Sequence, residues 1–290
     1  MNFLTPGEAP DAGLRRIIRE KTVESIETLS LAAADPVYAV HEVRKNIKRI
    51  RAALRLARFA LGQAGFRQEN FAFRDMGRRL ASARDAAVLR ETLRLILRSA
   101  EIPEDEISLI ERDLFGLVSE PGAELDLHLA GELMDSFRAA GGNVMKAEMV
   151  LDESDFVYDG LAHTAEKARR AYKNAYAPPE TAEKFHEWRK QVKYLWHQFE
   201  FLAELGGPGA EIPTEDLEHL AGQLGLAHDA ANLHAWLIRE KPTSAVVEFS
   251  RLVRLVHRIR LDHEGAARPH GRALFTQEPK ALLSWYPQVN

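Results

Sequence analysis

His41-Glu42-Val43-Arg44-Lys45-Asn46-Ile47-Lys48 is read again as His186-Glu187-Trp188-Arg189-Lys190-Gln191-Val192-Lys193, with five of eight positions identical at an offset of 145. Apolar residues recur every three and four positions through both copies, which predicts helix rather than strand. On a helix at about 100° per residue, His41, Arg44, Lys48, Arg51 and Arg55 fall within an arc of roughly 80°, and Lys45 widens it to roughly 120°. Val43, Ile47, Ile50, Leu54 and Ala57 take the opposite side. The second copy agrees: His186, Arg189, Lys190 and Lys193 share one face, while Trp188, Val192, Leu195, Phe199 and Leu202 form the other. Each copy therefore predicts one helix with a core stripe and a cationic stripe.

Like charges at i,i+4, such as Arg44/Lys48 and Arg51/Arg55, work against an isolated helix by a few tenths of a kcal/mol per pair. Ordinary solvated faces relieve that repulsion by alternating signs. Repulsion retained in both copies points to an anionic ligand. Arg offers a planar fork for phosphate oxygens and Lys a mobile point charge. A histidine among them starts near pKa ~6.5, and a bound phosphate favours its charged form.

Working outward, Ala83-Arg84-Asp85-Ala86-Ala87-Val88-Leu89 recurs as Ala227-His228-Asp229-Ala230-Ala231-Asn232-Leu233 at an offset of 144, and Gly13-Leu14 as Gly160-Leu161 at 147. A near-constant offset over three segments predicts two related halves meeting near residue 150. Helical periodicity continues almost everywhere, and the expected helices span about 12–33, 36–62, 66–99, 104–119, 124–149, 156–177, 180–205, 214–240 and 243–263. The fold class is all-α.

Composition narrows the chemistry. The chain has 290 residues, 46% of them hydrophobic and 28% charged, and no Cys, which excludes disulfides, thiolate catalysis and thiolate-bound clusters. No apolar run reaches the ~18 residues of a membrane span, and the first residues lack a signal peptide's apolar stretch, so a cytoplasmic location away from membranes is expected. The net charge of -4 hides segregation: residues 1–100 carry 19 Lys+Arg against 11 Asp+Glu, whereas 101–160 carry 3 against 16. Such segregation marks a polyanion-binding face.

VHEVRKNIKRIRAALRLAR (40–58) and FHEWRKQVKYLWHQFEFL (185–202) resemble the two signature helices of the CHAD family, the conserved-histidine α-helical domain. SARDAAVL (82–89) and LGLAHDAANL (224–233) are similar to its following helix in each half, and GLAHTAEKARRAY (160–172) to the opening helix of its second half. The resemblance covers roughly residues 12–262. It implies two four-helix bundles related by a pseudo-twofold, with basic side chains of both halves facing a central groove that binds inorganic polyphosphate. Carried over residue by residue, the implied binding set is His41, Arg44, Lys45, Lys48, Arg51 and Arg55 with His186, Arg189, Lys190 and Lys193; Arg16, Arg19, Arg84, Lys167, Arg169 and Lys173 join from flanking helices. The expected domain runs over 12–263, with halves at about 12–150 and 151–263, between tails at 1–11 and 264–290. Trp196, His197 and His228 depart from the family's usual Arg, Tyr and Asn, and Glu200 stands in the place corresponding to Arg55.

No catalytic constellation competes with this reading. His41-Glu42 and His186-Glu187 begin like a zinc HExxH signature, but Lys45 and Lys190 fill the second-His position. No phosphate loop, triad or paired-carboxylate site stands out, so neither a metal nor a cofactor is expected and the protein is read as a binder rather than an enzyme. Glu104-Asp105-Glu106 and Asp152–Asp155 read as helix-start acids. Trp188, Trp236 and Phe199 read as packing residues, and His219, His234, His257, His263 and His270 as surface or packing. Two alternatives use the same stripe: a nucleic-acid backbone binder, ranked lower for want of interleaved aromatics, and a helical scaffold docking an acidic protein partner.

Overall fold

A computed structural model of the protein describes residues 3–80, 82–116, 125–150, 155–207 and 209–287, with the side chains of 82–87 left aside. The described residues are helical throughout, with no strand among them: α1 (Pro10–Ser30), α2 (Pro36–Leu56), α3 (Gly62–Arg79), α4 (Ser82–Ser99), α5 (Glu104–Phe115), α6 (Leu127–Lys146), α7 (Phe156–Ala175), α8 (Ala182–Leu202), α9 (Thr214–Glu240), α10 (Phe249–Phe275) and the short α11 (Pro279–Leu282). None is long and apolar enough to cross a membrane.

Local chemistry sets the starts of the elements that matter. Pro36 opens α2, where its fixed φ suits the helix and its missing N–H costs nothing, and Asp35 Oδ1 accepts the Tyr38 N–H at 2.9 Å. Asp155 caps α7 by accepting from the backbone N–H of Val157 and Tyr158 at 3.1 and 2.9 Å.

α1 packs along α2 and α6, and α3 packs on both α2 and α6. The Arg15 guanidinium clamps this group, donating to the carbonyls of Val144, Met145 and Ala147 at the end of α6. A second series runs α7, α8, α9, α10, each packed on the next. The two groups meet where α2 lies against α7 and α8. At that crossing any Cβ on residue 160 would collide with the Leu56 carbonyl, so Gly160 permits the close approach of α7. Gln198 Nε2 donates to the Ala52 carbonyl at 3.2 Å across the same seam. Val43, Leu54, Trp188 and Phe199, all predicted core residues, are fully buried.

The region expected as one helix over 66–99 is two, because α3 ends at Arg79 with Leu80 as its cap. α4 then turns to the second group: it packs on α9, α5 and α10, with a light contact to α2. Leu93, Ile96, Leu97, Ile107, Ile110 and Leu114 join Leu233, Leu237, Leu252 and Val256 in a core separate from the main one. α9 spans both cores, with Leu217, Leu220 and Leu224 in the larger and Leu233 and Leu237 in the smaller.

The segments expected as tails carry core residues. Leu4 is buried and donates its N–H to the Phe201 carbonyl at 2.7 Å. α10 runs twelve residues past the expected end at 263, to Phe275, with Pro269 inside it at the loss of one backbone bond. Leu274, Phe275, Leu283 and Tyr286 join the main core.

Candidate polyanion-binding cavity

α2 and α8 present their cationic stripes to one cavity of about 620 Å3. α2 supplies His41, Arg44, Lys48 and Arg51; α8 supplies His186, Arg189, Lys190, Lys193 and Tyr194. α9 adds His228, Asp229, Asn232, Trp236 and Arg239, while Val88 and Leu89 of α4 close another side. The apolar face of each stripe helix is locked in the core, which forces the opposite face toward this space.

The individual side chains are held by short-range contacts. Arg44 donates to the Gly77 carbonyl at 3.0 Å, and Arg51 Nε donates to Asn70 Oδ1 at 3.1 Å. Arg55 donates to the same Asn70 oxygen and stacks on Tyr194, with its guanidinium carbon 3.6 Å from the ring centre. Burial pulls Arg55 down to about 10, and the charges of Arg51 and Arg58 add to this, so it remains protonated at neutral pH. Lys45 turns to Glu42 at 2.8 Å, and Lys190 pairs with Glu187 at the equivalent spacing. Lys193 lies 5.2 Å from the Trp196 ring centre.

His186 stacks on His228, with ring centres 4.1 Å apart, a tilt of 29° and Nδ1 atoms 3.1 Å from each other. Asn232, one turn along α9, places Nδ2 3.2 Å from His228 Nε2. Burial depresses His228 to about 3, reinforced by His186, Arg189 and Lys48, and burial also lowers His186. Both imidazoles are therefore neutral at pH 7.

The flanking cations are placed elsewhere. Arg16 is bound to Glu8, with Glu20 and the Phe3 carbonyl also in reach. Arg169 pairs with Glu166 and Glu278. Arg19 and Lys173 are exposed on α1 and α7. Lys167 groups with Arg58, Arg55 and His163; burial lowers its pKa first and the two arginines next. The Arg84 and Asp85 side chains lie outside the described residues, as does most of the Asp152–Asp155 run. Acids of the 101–160 segment meet arginines beyond the stripe: Glu132 with Arg79, Glu111 with Arg94 and Glu104 with Arg98.

Besides the apolar Val88, Leu89 and Ala235, six cavity residues escaped the sequence reading as site members: Tyr194, His228, Asp229, Asn232, Trp236 and Arg239. Tyr194 precedes a core leucine in α8, and Trp236 was assigned to packing, where it also belongs: it stacks on Phe115 with ring centres 4.7 Å apart. Asn232 lies within the second SARDAAVL-like segment and Arg239 follows it by under two turns, so the recurrence of that segment was the available signal. His219 faces His270, His234 faces His257, and His263 bonds Gln223, so those histidines do pair across the α9–α10 contact. Among the described residues no group of three or more His, Asp or Glu could hold a metal ion.

The CHAD-domain family model matches residues 19–238, about three quarters of the chain and the whole of both stripe helices. This protein belongs to the CHAD family. Its fold is similar to that of PptA from Streptomyces chartreusis, with a TM-score of 0.57 over 92% of this chain and 99% of that one, at 18% sequence identity. No curated protein matches it. The matched segment ends at residue 238, so α10 and α11 extend the CHAD region on its C-terminal side.

Proposed function

We propose that this CHAD protein is a non-enzymatic binder of inorganic polyphosphate, held in the cavity between α2 and α8. The carrying observation is that both copies of the octad line one cavity. A flexible chain of phosphates would replace its counterions with the fixed Arg and Lys side chains, so affinity would come from many modest contacts and fall steeply with salt. Polyphosphate has no bases to read, so the spacing of charges in the cavity would set selectivity. The duplicated octad supports a pseudo-twofold relation of the halves, which would offer a repeating ligand similar contacts on both walls. A cytoplasmic setting and association with polyphosphate granules fit this reading.

Nucleic acid is the weaker reading. Stacking needs open aromatic faces, whereas Trp236 has one face against Phe115 and Trp196 has one against His197, each with ring centres 4.7 Å apart. Docking of an acidic protein partner, such as another copy's 101–160 segment, has less support because Glu104, Glu111 and Glu132 of that segment are engaged within the chain.

Biolayer interferometry against long-chain polyphosphate across a salt series tests the proposal. The expected result is tight binding with a slope on the order of five or more released counterions, lost in Arg44→Glu/Lys48→Glu. A folded wild-type protein that fails to bind at ~50 mM salt would sink it. Displacement by single-stranded RNA as readily as by polyphosphate would favour the nucleic-acid reading.

A further inference from the structure

We infer that His228 is a positioning residue: together with Asn232 it fixes the tautomer of His186, which then meets an anionic ligand as a neutral Nε2–H donor. The ligand's identity rests on the polyphosphate reading, but the tautomer does not.

The assignment follows from donor and acceptor arithmetic along three side chains. Asn232 Nδ2 carries only donors. It lies 3.2 Å from His228 Nε2, so that nitrogen is bare and accepts. A neutral imidazole has one N–H, which His228 must carry on Nδ1. His228 Nδ1 lies 3.1 Å from His186 Nδ1, and a single hydrogen serves this pair of nitrogens. His228 supplies it. His186 Nδ1 is therefore the acceptor, and the His186 proton sits on Nε2, at the opposite edge of a ring that lines the cavity.

The surroundings keep the pair from taking a further proton. The ring centres lie only 4.1 Å apart, so a doubly protonated pair would set two cations in contact. Arg189 and Lys190 of α8 and Lys48 of α2 add charge of the same sign. Of the acids on these elements, Glu187 is turned to Lys190 and Gln191, and Asp229 lines the cavity beside His228. His228 stands where the family commonly has Asn, so the relay is a property of this chain rather than of the shared octad.

A neutral Nε2–H in a fixed direction gives a phosphate oxygen a hydrogen bond that does not vary with pH across the neutral range. Removing His228 would release the His186 ring, allow both tautomers and let a bound polyanion draw a proton onto it.

Long-range 1H–15N correlation NMR on the ligand-free protein at pH 7.5 reads the tautomers directly. The expected pattern is Nε2–H for His186 and Nδ1–H for His228, with a tautomer mixture at His186 in His228→Phe. Asn232→Ala, at an exposed position that leaves the ring stack in place, should also scramble the pattern and guards against a folding defect in the first variant. Polyphosphate affinity between pH 8 and pH 6 should then rise about three- to tenfold more steeply in His228→Phe than in wild type, as one added charge per site would require. An Nδ1–H tautomer at His186 in wild type, or an unchanged His186 pattern in both variants, would overturn the inference. The expected tautomers without any polyphosphate binding would remove the polyphosphate reading and leave this one standing.

Discussion

The two copies of the octad are nearly the same peptide in different surroundings. Within the eight residues they behave alike: Lys45 pairs with Glu42 in one, and Lys190 with Glu187 in the other. Their histidines diverge. His41 is 52% exposed, with the Glu42 carboxylate 3.9 Å away, whereas His186 is packed against His228 of α9. The helices also diverge after the octad. Arg55 rests on Tyr194, while Glu200, in the corresponding place, is taken by His197 at 2.8 Å and Arg49 at 3.7 Å. The difference teaches that the octad encodes where its cations point, while the helix laid across it decides the chemical state of its histidine.

The comparison breaks most severely in the core. Trp188→Ala should cost about 3–5 kcal/mol and Val43→Ala, at the matching position, about 2 kcal/mol, read as the shift in urea unfolding. Equal losses would mean that the second helix is not the more deeply anchored. Next comes binding: Arg44→Ala/Lys48→Ala should weaken polyphosphate affinity on the order of 100-fold and lower the salt slope by about two. Arg189→Ala/Lys193→Ala should do the same; a loss under about threefold there would confine the ligand to the α2 wall.

A smaller effect separates the halves by pH. His228 and His163 have native pKa values of about 3 and about 4, both depressed first by burial, and so bind protons more readily once unfolded. Stability should be level above about pH 6.5 and fall as pH drops from there toward 4. Urea midpoints measured across that range should decline less in His228→Asn, and an identical decline would remove His228 from the account. Smallest of all, Glu42→Gln and Glu187→Gln should each change stability by less than about 1 kcal/mol, with a matching slight gain in polyphosphate affinity in both halves.

What was legible in the sequence was local. Periodicity revealed the helices, and the stripe geometry placed eight of the ten principal cations and histidines on the cavity. Lys45 and Arg55 share the arc, but Lys45 spends its charge on Glu42, its i−3 neighbour on the same helix, and Arg55 on Tyr194 and Asn70, which lie on other helices and are outside the reach of the α2 helical wheel. Arg16 is similar: its partner Glu8 is brought to it by the turn of chain before α1. The break after Arg79 was hidden because apolar spacing continues across it, and nothing in α4 declares that its face will be covered by α9 and α10. Pro269 and the polar run around His263 read as an end, yet the helix continues because Leu274 and Phe275 reach the main core beyond it.

The separate core of α4 and α5 has a consequence for synthesis. Its first apolar residues are complete at Leu114, but Leu252 and Val256 of α10 lie 138 and more residues downstream. At about 5–20 residues per second, Leu93, Ile96, Leu97 and Ile110 wait roughly 7–28 s on the ribosome before their cover, begun by Leu233 and Leu237 of α9, is completed by α10. The α4–α5 hairpin thus carries uncovered apolar surface on the nascent chain through that interval, and a slow stretch of translation between residues 115 and 250 would lengthen that exposure.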